Sequence, residues 1–437
     1  MVRNTVIYIS SNVIKLVASL IVTLPMVTFY LSVEQIGVYA YIALLSSFLM
    51  IPLSSGGQAI VASHYFTSDK NERKKMFFHI YVVEIIIKIL LFIIVVFFGE
   101  QFLKIAFHEY KNEYINYLLI YSASLIFSAT KPILYYFFTV ERKAGIFFFY
   151  NTIEVILNLF FITLFFYFLE LGLIGYFLSA LFTSFIIFLL DVYTMSKNFI
   201  IGFDRQWVGT IYHKGFKLFY VNLLEQFLNL YDSYIVQRFL NLNHLGVYSH
   251  AKQYIGNFSM VDNAFFYSYL PSYMRMLNKE EKIDTFKIML AWYCFLLCLG
   301  ICIIFFAKDV IGYLTHGKLT QSAELVPLLF VLIFFKSNQR QYSSQLLYYK
   351  RNKEYANLSV FANILGFLIL TIGVFVYDSG LYFIVFSYIL NVVLRNIFIK
   401  SYAIYKYRHV DISELFFIVS LAIYIFLWVK ITLEALF

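Results

Sequence analysis

The chain has 437 residues, of which 61% are hydrophobic and 14% are charged, and its mean hydropathy is +0.76. A soluble protein carries about 25% charged residues, so this composition excludes a water-soluble globular protein and indicates lipid as the solvent. The net charge of +9 does not indicate nucleic acid, because the basic residues lie in short loops between apolar segments, where they set topology and contact anionic membrane lipids.

Thirteen apolar segments reach the length of about 20 residues that a membrane span requires. The first twelve predict an all-α polytopic membrane protein with two sets of six helices. The thirteenth is a C-terminal addition, and the sequence leaves open whether it spans the membrane. The segments are 4–32, 36–64, 76–98, 114–139, 146–169, 172–195, 215–239, 244–273, 286–307, 322–346, 357–377, 380–403 and 413–434.

Two short stretches indicate an internal duplication. Residues 30–39 read YLSVEQIGVY and residues 239–248 read FLNLNHLGVY, with identical residues at four of the ten aligned positions. At the same offset of 209 residues, Lys131 aligns with Arg340. A duplicated membrane protein without a soluble domain is usually a transporter whose site lies between its halves.

The loop charges predict the orientation of these halves. Loops on one side of the predicted bundle hold 21 lysines and arginines, and loops on the other side hold five. The first side is cytoplasmic by the positive-inside rule, which places the N-terminus inside the cell. Because each set has six spans, the halves are predicted to be parallel repeats. The predicted parts are an N-terminal lobe at 1–195, a cytoplasmic linker at 196–214, a C-terminal lobe at 215–403 and the extra helix at 413–434.

Motifs for enzymatic chemistry are missing from the sequence. It contains no GxxxxGK[ST], HExxH or GxSxG pattern, and no predicted loop is long enough to form a catalytic domain. The three cysteines, Cys294, Cys298 and Cys302, share one helix face and are too few for a thiolate metal site. The sequence therefore predicts a protein that is not an enzyme and binds no metal.

Polar residues recur on single faces of four predicted spans. A charge at the bilayer centre costs about 2.5–3.5 kcal/mol, so each needs a partner or a water-filled cavity. The stripes therefore predict either a wet central cavity or ion pairs that hold the bundle together. They are Ser11, Lys15 and Ser19; Ser124, Ser128 and Lys131; Asn222, Glu225, Asn229 and Asp232; and Lys336, Arg340 and Ser343.

The sign of these charges favours an anionic substrate. The cations within spans are Lys15, Lys131, Lys336, Arg340 and Arg395. Lys15, Lys131 and Arg340 are predicted to form a diphosphate subsite, since Arg binds phosphate oxygens bidentately and Lys acts as a point charge. The predicted coupling or cavity residues are Glu154, Glu225, Asn229, Asp232 and Asp262. The carboxylates could neutralise the cations, or bind H⁺ or Na⁺ in coupling, and no other cofactor is indicated.

The stretches YLSVEQIGVYAY at 30–41 and NLYDSYIVQRFLNLNHLGVYSHAKQY at 229–254 resemble a known family. In the second stretch Asp232 precedes a short apolar run and a G-x-Y ending at Gly246 and Tyr248. This pattern is similar to the polysaccharide-transport, or O-antigen flippase, family of the multidrug, oligosaccharidyl-lipid and polysaccharide exporters. The resemblance covers residues 1–403 and implies a MATE-like fold; the C-terminal segment departs from it.

The resemblance implies a multi-pass protein of the bacterial inner membrane. Such a protein moves undecaprenyl-diphosphate-linked oligosaccharide, such as O-antigen units for lipopolysaccharide, to the periplasmic leaflet by alternating access. Other polysaccharide-assembly proteins are candidate partners. Three alternatives stay open: a cation-coupled multidrug exporter, a lipid II flippase of the same superfamily and a membrane-embedded polysaccharide polymerase.

Overall fold

A computed structural model describes residues 2–50, 68–107, 109–141, 143–202, 204–211, 227, 230–277, 285–349, 351–377, 380–407 and 413–434. All regular secondary structure in these ranges is helical. Ten helical stretches among the described residues are long and apolar enough to cross a membrane. The predicted all-α polytopic class is therefore confirmed.

We number the α-helices in chain order, and three short π-helical segments accompany them. The α-helices are α1 (Val2–Val17), α2 (Leu24–Tyr30), α3 (Val33–Met50), α4 (Lys70–Ala106), α5 (Glu113–Phe127), α6 (Lys131–Val140), α7 (Ala144–Thr163), α8 (Gly172–Asn198), α9 (Leu242–Leu277), α10 (Thr285–Leu314), α11 (Ser322–Tyr348), α12 (Asn352–Tyr377), α13 (Leu381–Tyr407) and α14 (Ser413–Glu434). The π-helical segments are Ala18–Thr23, Leu164–Phe168 and Val236–Leu240.

The chain forms two compact units. Unit 1 contains Met1–Ala18 and Gly37–Asn241, and unit 2 contains Ser19–Ile36 and Leu242–Phe437. This division differs from the predicted lobes, because residues 19–36 belong to unit 2 and unit 1 continues to Asn241. The segment 19–36 joins unit 2 because its backbone makes close contacts there, as the next two features show.

Gly246 of the repeated G-x-Y stretch permits one of these contacts. A Cβ atom added at Gly246 would stand 2.2 Å from the carbonyl oxygen of Val33. No side chain can occupy that position without moving the backbone, so glycine is required for α9 to approach the start of α3. The motif that carries the family resemblance therefore has a packing function within unit 2.

Lys318 makes the second contact, at the end of α2. Its Nζ donates hydrogen bonds of 2.9 Å to the carbonyl oxygens of Thr28 and Phe29. The last carbonyls of a helix have no partner within the helix, and a nearby cation satisfies them well. The two helix ends joined here, those of α2 and α10, are both predicted to be extracytoplasmic.

Contacts within unit 1 join helix ends that are predicted to be cytoplasmic. Lys143 Nζ donates to Asn198 Oδ1 at 3.1 Å. The backbone N–H of Asp204 donates to His79 Nε2 at 2.7 Å. These contacts agree with the predicted alternation of helix direction, and which side faces the cytoplasm stays a prediction.

In unit 1, α5 packs on α4 and α8, while α7 packs on α1, α6 and α8.

Helix α4 begins at a capping box, in which the backbone N–H of Glu72 donates to Asp69 Oδ1 at 2.7 Å. Its 37 residues extend about 55 Å, well beyond a hydrocarbon core of about 30 Å, so its charged first turns project past the apolar part.

Unit 2 is built around α11. This helix packs on α9, α10, α12, α13 and α14. Eight of its polar residues are buried: Ser322, Ser337, Asn338, Gln339, Gln341, Ser343, Ser344 and Gln345. Because neighbouring helices cover it, α11 does not need an apolar surface toward lipid.

The polar character of α9 and α11 explains a difference from the sequence prediction. Both helices lie where spans were predicted, at 244–273 and 322–346, yet neither is among the ten apolar candidates. The predicted span at 215–239 lies largely outside the described residues. The C-terminal stretch Glu414–Leu433 is among the ten, by length and composition.

Helix α14 packs as a full member of unit 2. Tyr424 is completely buried, and its hydroxyl donates to the carbonyl oxygen of Pro327 at 2.7 Å. Its ring fills the space beside Gly300, where an added Cβ would stand 2.6 Å from the ring. Near the other end of α14, Glu414 accepts a 2.7 Å hydrogen bond from Asn338 Nδ2 and pairs with Lys400.

We predict that Tyr424→Ala lowers stability by about 3 kcal/mol or more, because it removes a buried ring and a satisfied hydroxyl. Phe426→Ala is the matched control on the same helix, since this side chain is 67% exposed. Thermal unfolding of the purified protein in detergent measures both. Equal effects of the two substitutions would contradict the packing of α14 through Tyr424.

We predict the sidedness from single cysteines placed in a cysteine-free variant. Lys111→Cys and Gln321→Cys should react with a membrane-impermeant thiol reagent in intact cells or spheroplasts. Lys197→Cys and Lys353→Cys should react only after the membrane is opened, because their loops are predicted to be cytoplasmic. All four positions are exposed. The reverse labelling pattern would overturn the predicted orientation.

Candidate functional site

Unit 1 brings two of the predicted cations onto one carboxylate. Lys15 Nζ contacts Glu154 Oε2 at 2.7 Å, and Lys131 Nζ pairs with Glu154 Oε1. The Tyr135 hydroxyl donates to Oε2 at 3.4 Å, and its ring lies below both ammonium groups, 5.7 Å from Lys15 Nζ and 5.5 Å from Lys131 Nζ. Lys15, Lys131 and Glu154 therefore form one cluster beside Tyr135, although Lys15 lies far from the others in sequence.

Two parallel contacts between α1 and α7 position this cluster. Ser11 and Lys15 lie one turn apart on α1, and Asn151 and Glu154 lie one turn apart on α7. Asn151 Nδ2 donates to Ser11 Oγ at 2.6 Å, and Lys15 bonds Glu154 one turn further along. Lys131 joins them as the first residue of α6.

The cluster is only partly buried, and its two ammonium groups share one carboxylate. The side chains of Lys15, Lys131 and Glu154 are 20%, 26% and 23% exposed. Both lysines are therefore accessible to a second anion.

A buried carboxylate beside the cluster was missed by the sequence analysis. Asp191 on α8 is fully buried, and its Oδ2 accepts a 3.2 Å hydrogen bond from Thr130 Oγ1, next to Lys131 in the chain. The available signal was an acidic residue inside the apolar segment 172–195.

In unit 2, Arg340 and Asp262 form an ion pair between α11 and α9. The distance from Arg340 Nη1 to Asp262 Oδ2 is 2.9 Å. The guanidinium also lies 5.6 Å from the centre of the Phe266 ring. Lys336, one turn before Arg340 on α11, is close enough to interact electrostatically with Asp262. Burial in this pair is unequal, since Asp262 is 2% exposed and Arg340 is 30% exposed.

Two further cations of unit 2 also lie within its helices. Arg395 Nε on α13 donates to Gln339 Oε1 at 3.2 Å, next to Arg340 in the chain. Lys252 on α9 lies between two rings, with its Nζ 4.9 Å from the centre of Tyr248 and 4.8 Å from that of Tyr388. The sequence analysis missed Lys252, although a lysine one turn after a tyrosine within a predicted span was a visible signal.

The polar stripe predicted on the seventh span is described only in part. Glu225 and Asn229 lie outside the described residues. Asp232 is buried, and Ser233 Oγ donates to its Oδ1 at 3.2 Å. A role of this stripe in coupling stays a prediction.

The sequence predicted either a wet central cavity or ion pairs that hold the bundle together. Such ion pairs are present, as Lys15–Glu154–Lys131 in unit 1 and Arg340–Asp262 in unit 2. In each pair the cation is at least one-fifth exposed. The same residues can therefore stabilise their unit and contact a substrate, and the predicted roles in binding stay predictions.

Known structures share this fold. The lipid II flippase MurJ in an inward closed conformation aligns with a TM-score of 0.69 and 15% identity over 100% of both chains. An outward-facing multidrug resistance MATE family transporter of the MOP superfamily aligns with a TM-score of 0.67 and 13% identity, over 93% of this chain and 94% of that one. A MOP superfamily transporter from Pyrococcus furiosus, described as having a binding pocket of reversed polarity, aligns with a TM-score of 0.60 and 13% identity over 93% and 94%.

These similarities and the intramembrane charge clusters define a multi-pass membrane protein with the fold of MATE transporters and the MurJ flippase. Residues 26–311 match the family described as polysaccharide biosynthesis protein, so the chain belongs to that family. The predicted family resemblance is confirmed. No curated protein matches the chain in sequence.

We predict that Arg340→Met destabilises the protein by about 3 kcal/mol, because it leaves the buried Asp262 without its cation. The double variant Arg340→Met with Asp262→Leu should recover most of the loss, since it removes both charges. Thermal unfolding in detergent compares the three proteins. A double variant as unstable as the single one would show that Asp262 does not depend on Arg340.

Proposed function

We propose that this protein is a flippase that moves an undecaprenyl-diphosphate-linked oligosaccharide, such as an O-antigen repeat unit, across the bacterial inner membrane. Membership of the polysaccharide biosynthesis family supports a glycan-related cargo. The fold of the similar transporters supports movement across a membrane by alternating access.

The observation that carries the proposal is the partly exposed cluster in which Lys15 and Lys131 share Glu154, with all three residues inside candidate membrane spans. A charge within a span is costly, and such groups usually line substrate pathways. A lipid diphosphate is an anion that both ammonium groups can bind. Arg340 in unit 2 is a second partly exposed cation of the kind that binds phosphate oxygens.

The depth of these cations also supports an entry site on the cytoplasmic side. Lys131 is the 19th residue of the candidate span Glu113–Phe138, which contains α5 and the start of α6, and Arg340 is the 19th residue of α11. By the predicted topology both segments run toward the cytoplasm, so both residues lie past the midpoint. A diphosphate made in the cytoplasm would meet them first.

The alternatives differ in cargo. A multidrug exporter for cationic drugs would need a cavity dominated by carboxylates, whereas the partly exposed groups here are mainly cations. The Pyrococcus furiosus transporter is a precedent for reversed pocket polarity within this fold. A lipid II flippase would move a cargo with the same lipid diphosphate but a different glycan, so the transported substrate distinguishes it from the proposed function. A polymerase would lengthen the glycan.

We expect Lys131→Ala and Arg340→Ala to slow flipping of the lipid-linked oligosaccharide by about tenfold or more, because each removes a phosphate contact. Lys131→Arg and Arg340→Lys keep the charge and should slow it less. Lys104→Ala is the control, since Lys104 forms an exposed pair with Glu100. Reconstituted vesicles with labelled undecaprenyl-diphosphate oligosaccharide, lipid II or a cationic dye measure transport and cargo.

Normal flipping by folded alanine variants would assign the two cations to structural ion pairs alone. Transport of only lipid II or only the dye would favour the corresponding alternative. In cells, deletion of the gene should leave the lipid-linked glycan in the cytoplasmic leaflet. Glycan that reaches the periplasm at normal length and rate would overturn the proposed function.

A further inference from the structure

Glu154 and Asp262 both pair with proposed phosphate-binding cations, but they differ in exposure. We infer, on the basis of the proposed function, that Glu154 occupies the position of the substrate phosphate in the empty site and that the diphosphate displaces it on binding. Asp262, in contrast, is a fixed partner that orients Arg340. The two carboxylates therefore have opposite effects on substrate affinity.

The geometry of Glu154 resembles that of a bound phosphate. Its two oxygens go to different lysines, Oε2 to Lys15 and Oε1 to Lys131. A phosphate group presents two or more anionic oxygens in the same way and can accept both ammonium groups. The lysines are thus held at the separation that an anion with two acceptor oxygens requires.

Glu154 is also placed so that it can leave. Its side chain is 23% exposed, and its further hydrogen bond among the described residues is the 3.4 Å one from Tyr135. Lys15 and Lys131 are 20% and 26% exposed on flexible side chains that can follow another anion. The cation–π contacts with Tyr135 keep both ammonium groups nearby during the exchange.

Asp262 has the opposite environment. It is 2% exposed, whereas its partner Arg340 is 30% exposed. Because the guanidinium is the exposed partner and the carboxylate is buried, a substrate can approach Arg340 without displacing Asp262. Its charge holds the planar guanidinium in one orientation, which favours bidentate phosphate binding.

The exchange at Glu154 provides a route for release. While the diphosphate is bound, Glu154 lacks both of its cations. When the substrate moves away, Glu154 recovers both lysines and compensates for the contacts that the phosphate gives up. A site without this carboxylate would bind the anion more tightly and release it more slowly.

The test measures binding of inorganic diphosphate and of a short-chain prenyl diphosphate to the purified full-length protein by isothermal titration calorimetry. We expect Glu154→Gln to bind both about tenfold more tightly than the wild type, because the competing anion is gone. Asp262→Asn should bind them more weakly. Glu100→Gln should bind as the wild type does; it removes the carboxylate of a 2.7 Å pair with Lys104 in the same unit. Tighter binding of the prenyl compound alone would assign the site to lipid-linked diphosphate.

A second variant covers the case in which Glu154→Gln does not fold. Glu154→Asp keeps the charge on a shorter side chain that cannot span both lysines, so it should also gain affinity, by a smaller factor. Diphosphate should raise the melting temperature of either variant more than that of the wild type. In vesicles, Glu154→Gln should flip the lipid-linked oligosaccharide more slowly despite its tighter binding.

The failures of this inference and of the proposed function are distinguishable. If the wild type binds diphosphate and Lys131→Ala weakens binding, but the Glu154 variants gain no affinity, the exchange is wrong and the flippase proposal stands. If neither the wild type nor the Glu154 variants bind either diphosphate, both proposals fail.

Discussion

Lipid cannot solvate charge, and the described structure follows from that constraint. Each charged group placed within a span must find its partner inside the protein, because an isolated charge there costs several kcal/mol. Lys15, Lys131 and Glu154 satisfy one another across three helices of unit 1, and Arg340 and Asp262 do so across two helices of unit 2. The residues that hold these helices together are therefore the same ones that are proposed to bind an anion.

The same constraint decides where the polar helices lie. Helix α11 carries a run of buried amide and hydroxyl side chains, and five other helices of unit 2 pack on it. Such a helix would be unstable against lipid, but it is well suited to the centre of a unit. The position of α14 follows as well, since Glu414 closes a polar network with Asn338 and Lys400 while Tyr424 packs on apolar neighbours. The outer face of α14 stays apolar.

The two carboxylates differ in burial. Asp262 is 2% exposed beside a 30% exposed Arg340, whereas Glu154 is 23% exposed and about as accessible as Lys15 and Lys131. In the proposed exchange this difference has a consequence for function: Asp262 orients Arg340 in unit 2, and Glu154 competes with the substrate for the lysines in unit 1.

The sequence by itself determined the membrane class, most of the helices and which cations lie within predicted spans. These follow from length, hydropathy and the cost of charge in lipid, which are local properties. The family resemblance also rests on local stretches, and the packing of Gly246 on Val33 gives one of them a physical reason.

Only the tertiary structure decided which charges meet. Lys15 and Glu154 are separated by 139 residues, and no periodicity predicts that α1 and α7 place them together. It also revealed Asp191 and Lys252, whose environments depend on neighbouring helices, and it assigned residues 19–36 to unit 2. Spacing along one helix fixes which residues share a face, but the partner of that face depends on long-range packing, which the sequence of a single helix does not encode.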